Sequence, residues 1–208
     1  MSYNSIENYA INHCFEESVH LTEIAELTEN ELQYSDMLSG KMAVGLLRLL
    51  IKTGGYKNIL EVGMFTGYAT LGMAEILPED GKITTIEMND RYKGIAERVF
   101  EKSESSKKIE ILFGNAREIT KNLSESYDLI FLDADKQFYP TYYETLKPKL
   151  KSGGLLVADN VFWSGTVLTQ EDRKSKAIAE FNKIVKDDPD MEQVMLTVRD
   201  GVLIARKC

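Results

Sequence analysis

A chain of 208 residues is long enough for one buried core and short for two, so residues 1–208 read as a single domain. With 28% charged residues and no apolar run of bilayer length, it is not expected to span a membrane, and the opening MSYNSIENYAINHCFEES lacks the blocks of a signal peptide, which predicts a cytoplasmic location. The net charge of -8 disfavours a broad basic face for nucleic acid, and Cys14 and Cys208 stand near opposite ends without metal-ligand spacing, as ordinary free thiols do.

Up to about Thr53 the apolar spacing is helical, through Ile24, Leu27 and Leu32 and then Met42, Leu46, Leu49 and Leu50. Residues 1–53 are therefore expected to form an N-terminal helical cover. His13 and His20, seven apart, would share a helix face with no third ligand, which fits a surface or subunit contact better than a metal site. Beyond Thr53, short apolar runs alternate with amphipathic stretches: NILEV, KITTIEM, IEILFG, YDLIFLD and GGLLVAD read as strands joined by helices. This pattern predicts an α/β, Rossmann-like doubly wound sheet. The tail differs, because two β-prone runs flank Asp200-Gly201, the signal of a two-residue antiparallel hairpin. Five parallel strands and a hairpin make a mostly parallel, seven-stranded sheet.

Ligands of such sheets sit beyond the carboxyl ends of the strands. Four of the five parallel strands finish on or beside a carboxylate. Gly63 and Gly67 are expected to let the backbone approach a ligand, yet the G-x-G-x-x-G of dinucleotide sites is absent. Glu87, about two dozen residues after Gly63, is placed to accept ribose hydroxyls. Glu61 ends an apolar strand and would face a cation or hydrogen-bond donors, so an adenosine with a cationic amino-acid tail suits both carboxylates. Either feature alone also reads as a common turn or helix cap. Asp133, Asp159 and Asn160 offer only oxygen at the ends of neighbouring strands, a set suited to a hard cation, Mg²⁺ first and Ca²⁺ or Mn²⁺ next. Taken singly, DADK is also a solvated turn and DN a helix cap.

The segments LEVGMFTGYAT, IEMND, DLIFLDADK and DNVFWSGTVL resemble the cation-dependent O-methyltransferases, the group of catechol and caffeoyl-coenzyme A O-methyltransferases and their bacterial relatives. The resemblance runs from about Ser35 to the C-terminus. It implies the class I methyltransferase fold and S-adenosylmethionine as donor, contacted by Ser39, Glu61, Gly63, Met64, Tyr68, Ala69, Glu87, Ala116 and Asp133. It implies a metal on Asp133, Asp159 and Asn160, a hydroxylated small-molecule acceptor near Asp135 and Trp163, and Lys136 as the base. Trp163 serves equally as a ring wall or as packing, and Phe162 reads as packing. Many relatives carry Ser where Ala69 stands, which leaves a hydroxyl contact missing or supplied by Thr70. The resemblance also implies a homodimer built on the N-terminal helices.

Two other readings accompany this one. Relatives of the same family methylate a hydroxylated uridine in transfer RNA, and Lys147, Lys149 and Lys151 form a small basic cluster. A Tyr143-x-x-x-Lys147 pair is like that of NAD(P)-dependent short-chain oxidoreductases, but it precedes the fifth strand where that pattern follows it.

Overall fold

A computed structural model describes residues 5–208; Met1–Asn4, which open the stretch read for a signal peptide, lie outside them. Helices α1 (Ser5–Asn12), α2 (Val19–Glu31) and α3 (Gly40–Gly54) precede the sheet, and α2 and α3 pack against one of its faces. The alternation that follows is β1 (Asn58–Val62), α4 (Tyr68–Ala74), β2 (Lys82–Glu87), α5 (Asp90–Phe100), β3 (Ile109–Phe113), α6 (Ala116–Asn122), β4 (Tyr127–Leu132), α7 (Tyr139–Leu146), β5 (Leu150–Asp159), α8 (Arg173–Asp187), β6 (Met191–Leu196) and β7 (Val202–Lys207). The seven strands order as β3-β2-β1-β4-β5-β7-β6, parallel except where β7 runs antiparallel to β5 and β6. This is the class I methyltransferase sheet. No helix among the described residues is long and apolar enough to cross a membrane.

Strand alternation sorts the core into two layers. Ile59, Leu129 and Phe131 point to the face covered by α2–α5, while Leu60, Val62, Ile130 and Leu132 point to the face covered by α7 and α8. Glu61 shares a face with Ile59, which sends its carboxyl beneath α4.

The helical reading of α3 holds, and one expectation, the two-residue hairpin turn, needs correction. In α3 the buried row is Ala43, Val44, Leu47 and Ile51, and Leu49 is 65% exposed. A Cβ on Gly72 of α4 would lie 2.5 Å from Val44 Cγ1, so the bare glycine is what seats the Val44 face against α4. The C-terminal hairpin closes at Leu196 and Val202, making its loop residues 197–201 instead of a two-residue turn. Asp200 and Gly201 are engaged elsewhere: their carbonyls accept from Phe162 N (3.0 Å) and Val161 N (3.1 Å), and a Cβ on Gly201 would meet the Phe162 ring at 2.5 Å. The hairpin loop thus braces the loop that leaves β5.

Candidate active site

A cavity of about 690 Å³ opens at the carboxyl ends of β1, β2, β4 and β5. Ser39, Gly63, Met64, Glu87 and Ala116 line one end, and Asp133, Asp135, Lys136, Asn160 and Trp163 line the other. Ten residues selected from scattered segments of the sequence therefore share one wall. Glu61, Tyr68, Ala69 and Asp159 do not line it.

Glu87 is the most organised acceptor of the first end. Its Oε2 accepts from Phe65 N (2.8 Å) and its Oε1 from Met88 N and Asn89 N (both 2.8 Å). A carboxylate offers roughly four acceptor sites, so one remains free of these three. Burial nevertheless pushes its pKa up, with the three N–H groups opposing. Phe65, in the left-handed region at φ 53, packs edge-on to Tyr92 at 4.7 Å, and both rings line the cavity. Neither ring was singled out in the sequence, because only the turn's backbone conformation brings them there.

The glycines act differently from expectation. A Cβ on Gly63 (φ 100) would meet the Asp133 carbonyl at 2.2 Å, so this residue permits a close approach of the loops that leave β1 and β4. A Cβ on Gly67 would strike the Phe100 ring at 2.6 Å, and Gly67 is not in the wall. Its role is packing.

Glu61 sits one layer behind the cavity, fully buried, with Oε2 accepting from the Thr85 hydroxyl at 2.5 Å and from the Thr70 hydroxyl. Thr70 is thereby committed and does not stand in for the serine that Ala69 replaces. Glu61 Oε1 is buried without a partner. Desolvation foremost, with the charges of Asp133 and Glu87 adding, raises its pKa to about 8 against the opposition of the two hydroxyls. An acid held more tightly protonated in the folded chain stabilises the fold below its unfolded pKa and loses that contribution as pH rises toward about 8. Melting temperature should therefore fall between pH 5 and pH 8 by the equivalent of a few kcal/mol (~1.4 kcal/mol per unit), and Glu61→Gln should flatten that slope. Identical slopes for the two proteins would remove Glu61 as the cause. Tyr68 turns away from the cavity and donates to Glu17, which ties α4 to the cover.

At the other end Lys136 is 6% exposed, with Nζ 2.6 Å from Asp133 Oδ1 and 2.8 Å from the Tyr139 hydroxyl. Tyr139, unremarked in the sequence, is the buried hub: its oxygen accepts from Lys136 and lies 3.1 Å from the Leu132 carbonyl and 3.0 Å from that of Asp159, one of which takes its proton. Its signal was the three-residue step from Lys136, which puts both groups on one side of a helical turn. Asp159 is 1% exposed, and its Oδ1 accepts from Asn160 N at 2.9 Å. Desolvation, then the nearby Asp133 charge, raises its pKa to about 6. Asn160, at φ 57, turns into the cavity wall. Among the described residues no group of three or more His, Cys, Asp or Glu could hold a metal; the set here is two carboxylates and one amide. Two mutually repelling carboxylates, one of them desolvated, make a donor set that a hard cation fits. Asp135 accepts from Gln137 Nε2 at 2.6 Å.

The family profile described as O-methyltransferase matches residues 11–208. The chain belongs to the O-methyltransferase family. Caffeoyl-CoA O-methyltransferase 2 of Petunia hybrida is 37% identical over 175 residues, covering 77% of this chain and 72% of the relative. Tricin synthase 2 of Oryza sativa subsp. japonica is 33% identical over 195 residues, covering 87% and 67%. Among solved structures, the SAH-bound Podospora anserina methyltransferase PaMTH1 superposes with a TM-score of 0.90 at 24% identity over 100% of this chain and 98% of that one. TomG of Streptomyces achromogenes, in complex with SAM, gives 0.90 at 24% over 99% and 96%. At that identity the two structures support the fold alone.

In this O-methyltransferase the oxidoreductase pair is accounted for structurally. Tyr143 donates to Asp188 Oδ2 (2.7 Å) and Lys147 pairs with Asp188 (2.6 Å) and Asp190 (2.8 Å), so burial and Asp188 push the Tyr143 pKa up, the reverse of an activated tyrosine. Lys149 donates to the Leu123 carbonyl and Lys151 pairs with Asp128 at 2.8 Å, so all three lysines of the basic cluster are engaged. Cys14 and Cys208 are free thiols. His13 Nδ1 lies 2.7 Å from the Tyr9 carbonyl, and its ring stacks on Tyr9.

Proposed function

We propose that this enzyme transfers the methyl group of S-adenosylmethionine to a hydroxyl next to a second oxygen on a small, catechol-like molecule, with Mg²⁺ or, in its place, Mn²⁺ or Ca²⁺. What carries the reading is the joining of two halves in one cavity: a carboxylate pre-oriented by three N–H groups at one end, and the oxygens of Asp133 and Asn160, with Asp159 buried outside the wall, beside a buried lysine at the other.

S-adenosylmethionine brings an electrophilic sulfonium methyl to the site. Glu87 would accept a ribose hydroxyl through its remaining lone pair, while Ala116 and the Asn115 cap flank the adenine edge and Ser39 reaches in from the cover. A divalent cation held by Asp133, Asp159 and Asn160 would supply the charge that lowers the pKa of a hydroxyl. Asp133 and Asn160 then fix where the acceptor's oxygens lie, and positioning of this kind supplies much of a transfer rate. Lys136 would take the hydroxyl proton. It is able to do so only once Asp133 is engaged by something other than its ammonium, since the two now form an ion pair at 2.6 Å. Trp163 walls the acceptor ring, and Asp135 borders it. A homodimer would use the cover, where Val19, Tyr34 and Leu49 are 74%, 60% and 65% exposed. The cytoplasm is the proposed location.

Calorimetry tests the donor half. S-adenosylmethionine or S-adenosylhomocysteine should bind in the micromolar range with NADH far weaker, and Glu87→Gln should weaken the former by about 10-fold, what a hydrogen bond to a charged group contributes. Tighter binding of NADH would overturn the reading.

A further inference from the structure

The geometry points to a methyl acceptor that carries an anionic group, a carboxylate or a phosphate, received by Lys174 at the rim of the cavity beside Trp163. The inference rests on reading the Asp133 end as the acceptor's half.

Three basic side chains line the cavity: Arg117, Lys136 and Lys174. Lys136 is spent on Asp133. Arg117 and Lys174 form no ion pair among the described residues, in a chain where acidic residues outnumber basic ones 33 to 25. On the same helix as Lys174, Lys183 pairs with Asp187 while Arg173, Lys176 and Lys186 form no ion pair among the described residues, so what sets Lys174 apart is its place in the cavity wall. These two cations of the cavity stand over rings of its wall, Arg117 4.0 Å from the Phe138 centroid and Lys174 Nζ 5.1 Å from that of Trp163. An aromatic face attracts a cation without neutralising it, so each remains available to an anion.

Arg117 follows Ala116 and belongs to the donor end. Lys174 belongs to the other. Its nearest acidic neighbour in sequence with a defined partner, Asp172, spends its carboxylate on the backbone N–H groups of Lys174 (2.7 Å) and Ser175 (3.0 Å). Trp163 is a fixed platform: it sits in the left-handed region at φ 48, a costly conformation for a bulky residue. Its carbonyl accepts from the Thr166 hydroxyl at 2.6 Å, and Asp200 Oδ1 holds the next residue, Ser164, by its N–H at 2.7 Å. A ring laid on Trp163, with its oxygens toward Asp133 and Asn160, would put a charged substituent within reach of Lys174. Selection among hydroxylated rings would then be electrostatic.

Catechol and 3,4-dihydroxybenzoate present the same diol and differ by one carboxylate. With saturating S-adenosylmethionine and Mg²⁺, kcat/KM of the wild type should favour the benzoate, and added salt should shrink the preference. Lys174→Ala should lower the benzoate-to-catechol ratio by about fivefold, the scale of an exposed ion pair, and Lys174→Arg should restore it. Equal ratios in wild type and Lys174→Ala, or a change confined to the KM of the donor, would overturn the proposal. Calorimetry of the two diols in S-adenosylhomocysteine separates it from the reaction itself. If neither diol is methylated but the benzoate binds more tightly and only when Lys174 is present, the methyl-transfer reading fails and the anion site stands. If the diols bind alike, the anion site is overturned.

Discussion

Lys136→Ala should reduce turnover on a vicinal diol by about 10² to 10⁴, the contribution of a positioned acid or base. The variant should recover relative to wild type as pH rises, because hydroxide in solution takes over the proton. Lys136 also fills a buried corner between Asp133 and Tyr139 at 2.6 and 2.8 Å, so its removal leaves two polar groups short of a partner. Lys136→Arg separates the two roles: it keeps a cation beside Asp133 and the phenol but is a far poorer base. Low turnover in both variants, with a melting temperature preserved in the arginine variant, assigns the proton to Lys136. Normal turnover of Lys136→Ala at neutral pH would make the lysine structural.

Asp159→Asn should act in opposite directions on stability and activity. The side chain is 1% exposed and, at about 6, its pKa stands above the usual carboxylate value of 3.8, so its ionised form opposes folding as pH rises through that range. In chelator at pH 8 the neutral amide should raise the melting temperature. The same change deletes a ligand charge, so the Mg²⁺ concentration for half-maximal turnover should rise by at least about 10- to 100-fold, the loss produced even by removing an outer partner of a metal ligand. Excess Mg²⁺ should rescue this variant and not Lys136→Ala. Unchanged Mg²⁺ dependence would take Asp159 out of the donor set.

The strands were legible because each carries its own signal. NILEV, KITTIEM and YDLIFLD are dense apolar runs ending where the loop chemistry begins; the observed strands, Asn58–Val62, Lys82–Glu87 and Tyr127–Leu132, match the first run and stop one residue short of the end of the other two. The residues of the cavity wall were legible for the same reason: topology gathers strand ends whatever the intervening helices do. What stayed hidden depends on contacts between distant segments. Glu61 and Asp159 end apolar strands as Glu87 does, yet both are buried out of the wall, a difference set by Thr70 and Thr85 around one and by the left-handed turn at Asn160 beside the other. Gly67 looked like a ligand-facing glycine and proved to be a seat for Phe100, which arrives from α5. Helical spacing alone does not say which side of α3 is buried; Val44 lies inward and Leu49 outward because Gly72 leaves room for Val44. Asp200-Gly201 carried a hairpin signal that the β5 loop diverts to its own backbone.

The most direct test is mass spectrometry of products from S-adenosylmethionine with an isotopically labelled methyl, incubated with a panel of vicinal diols and with transfer RNA, with and without chelator. The expected result is labelled mono-O-methyl ether on a small-molecule diol, abolished by chelator and restored by Mg²⁺ or Mn²⁺. Label on transfer RNA alone, or on the diol at an undiminished rate in excess chelator, would contradict it.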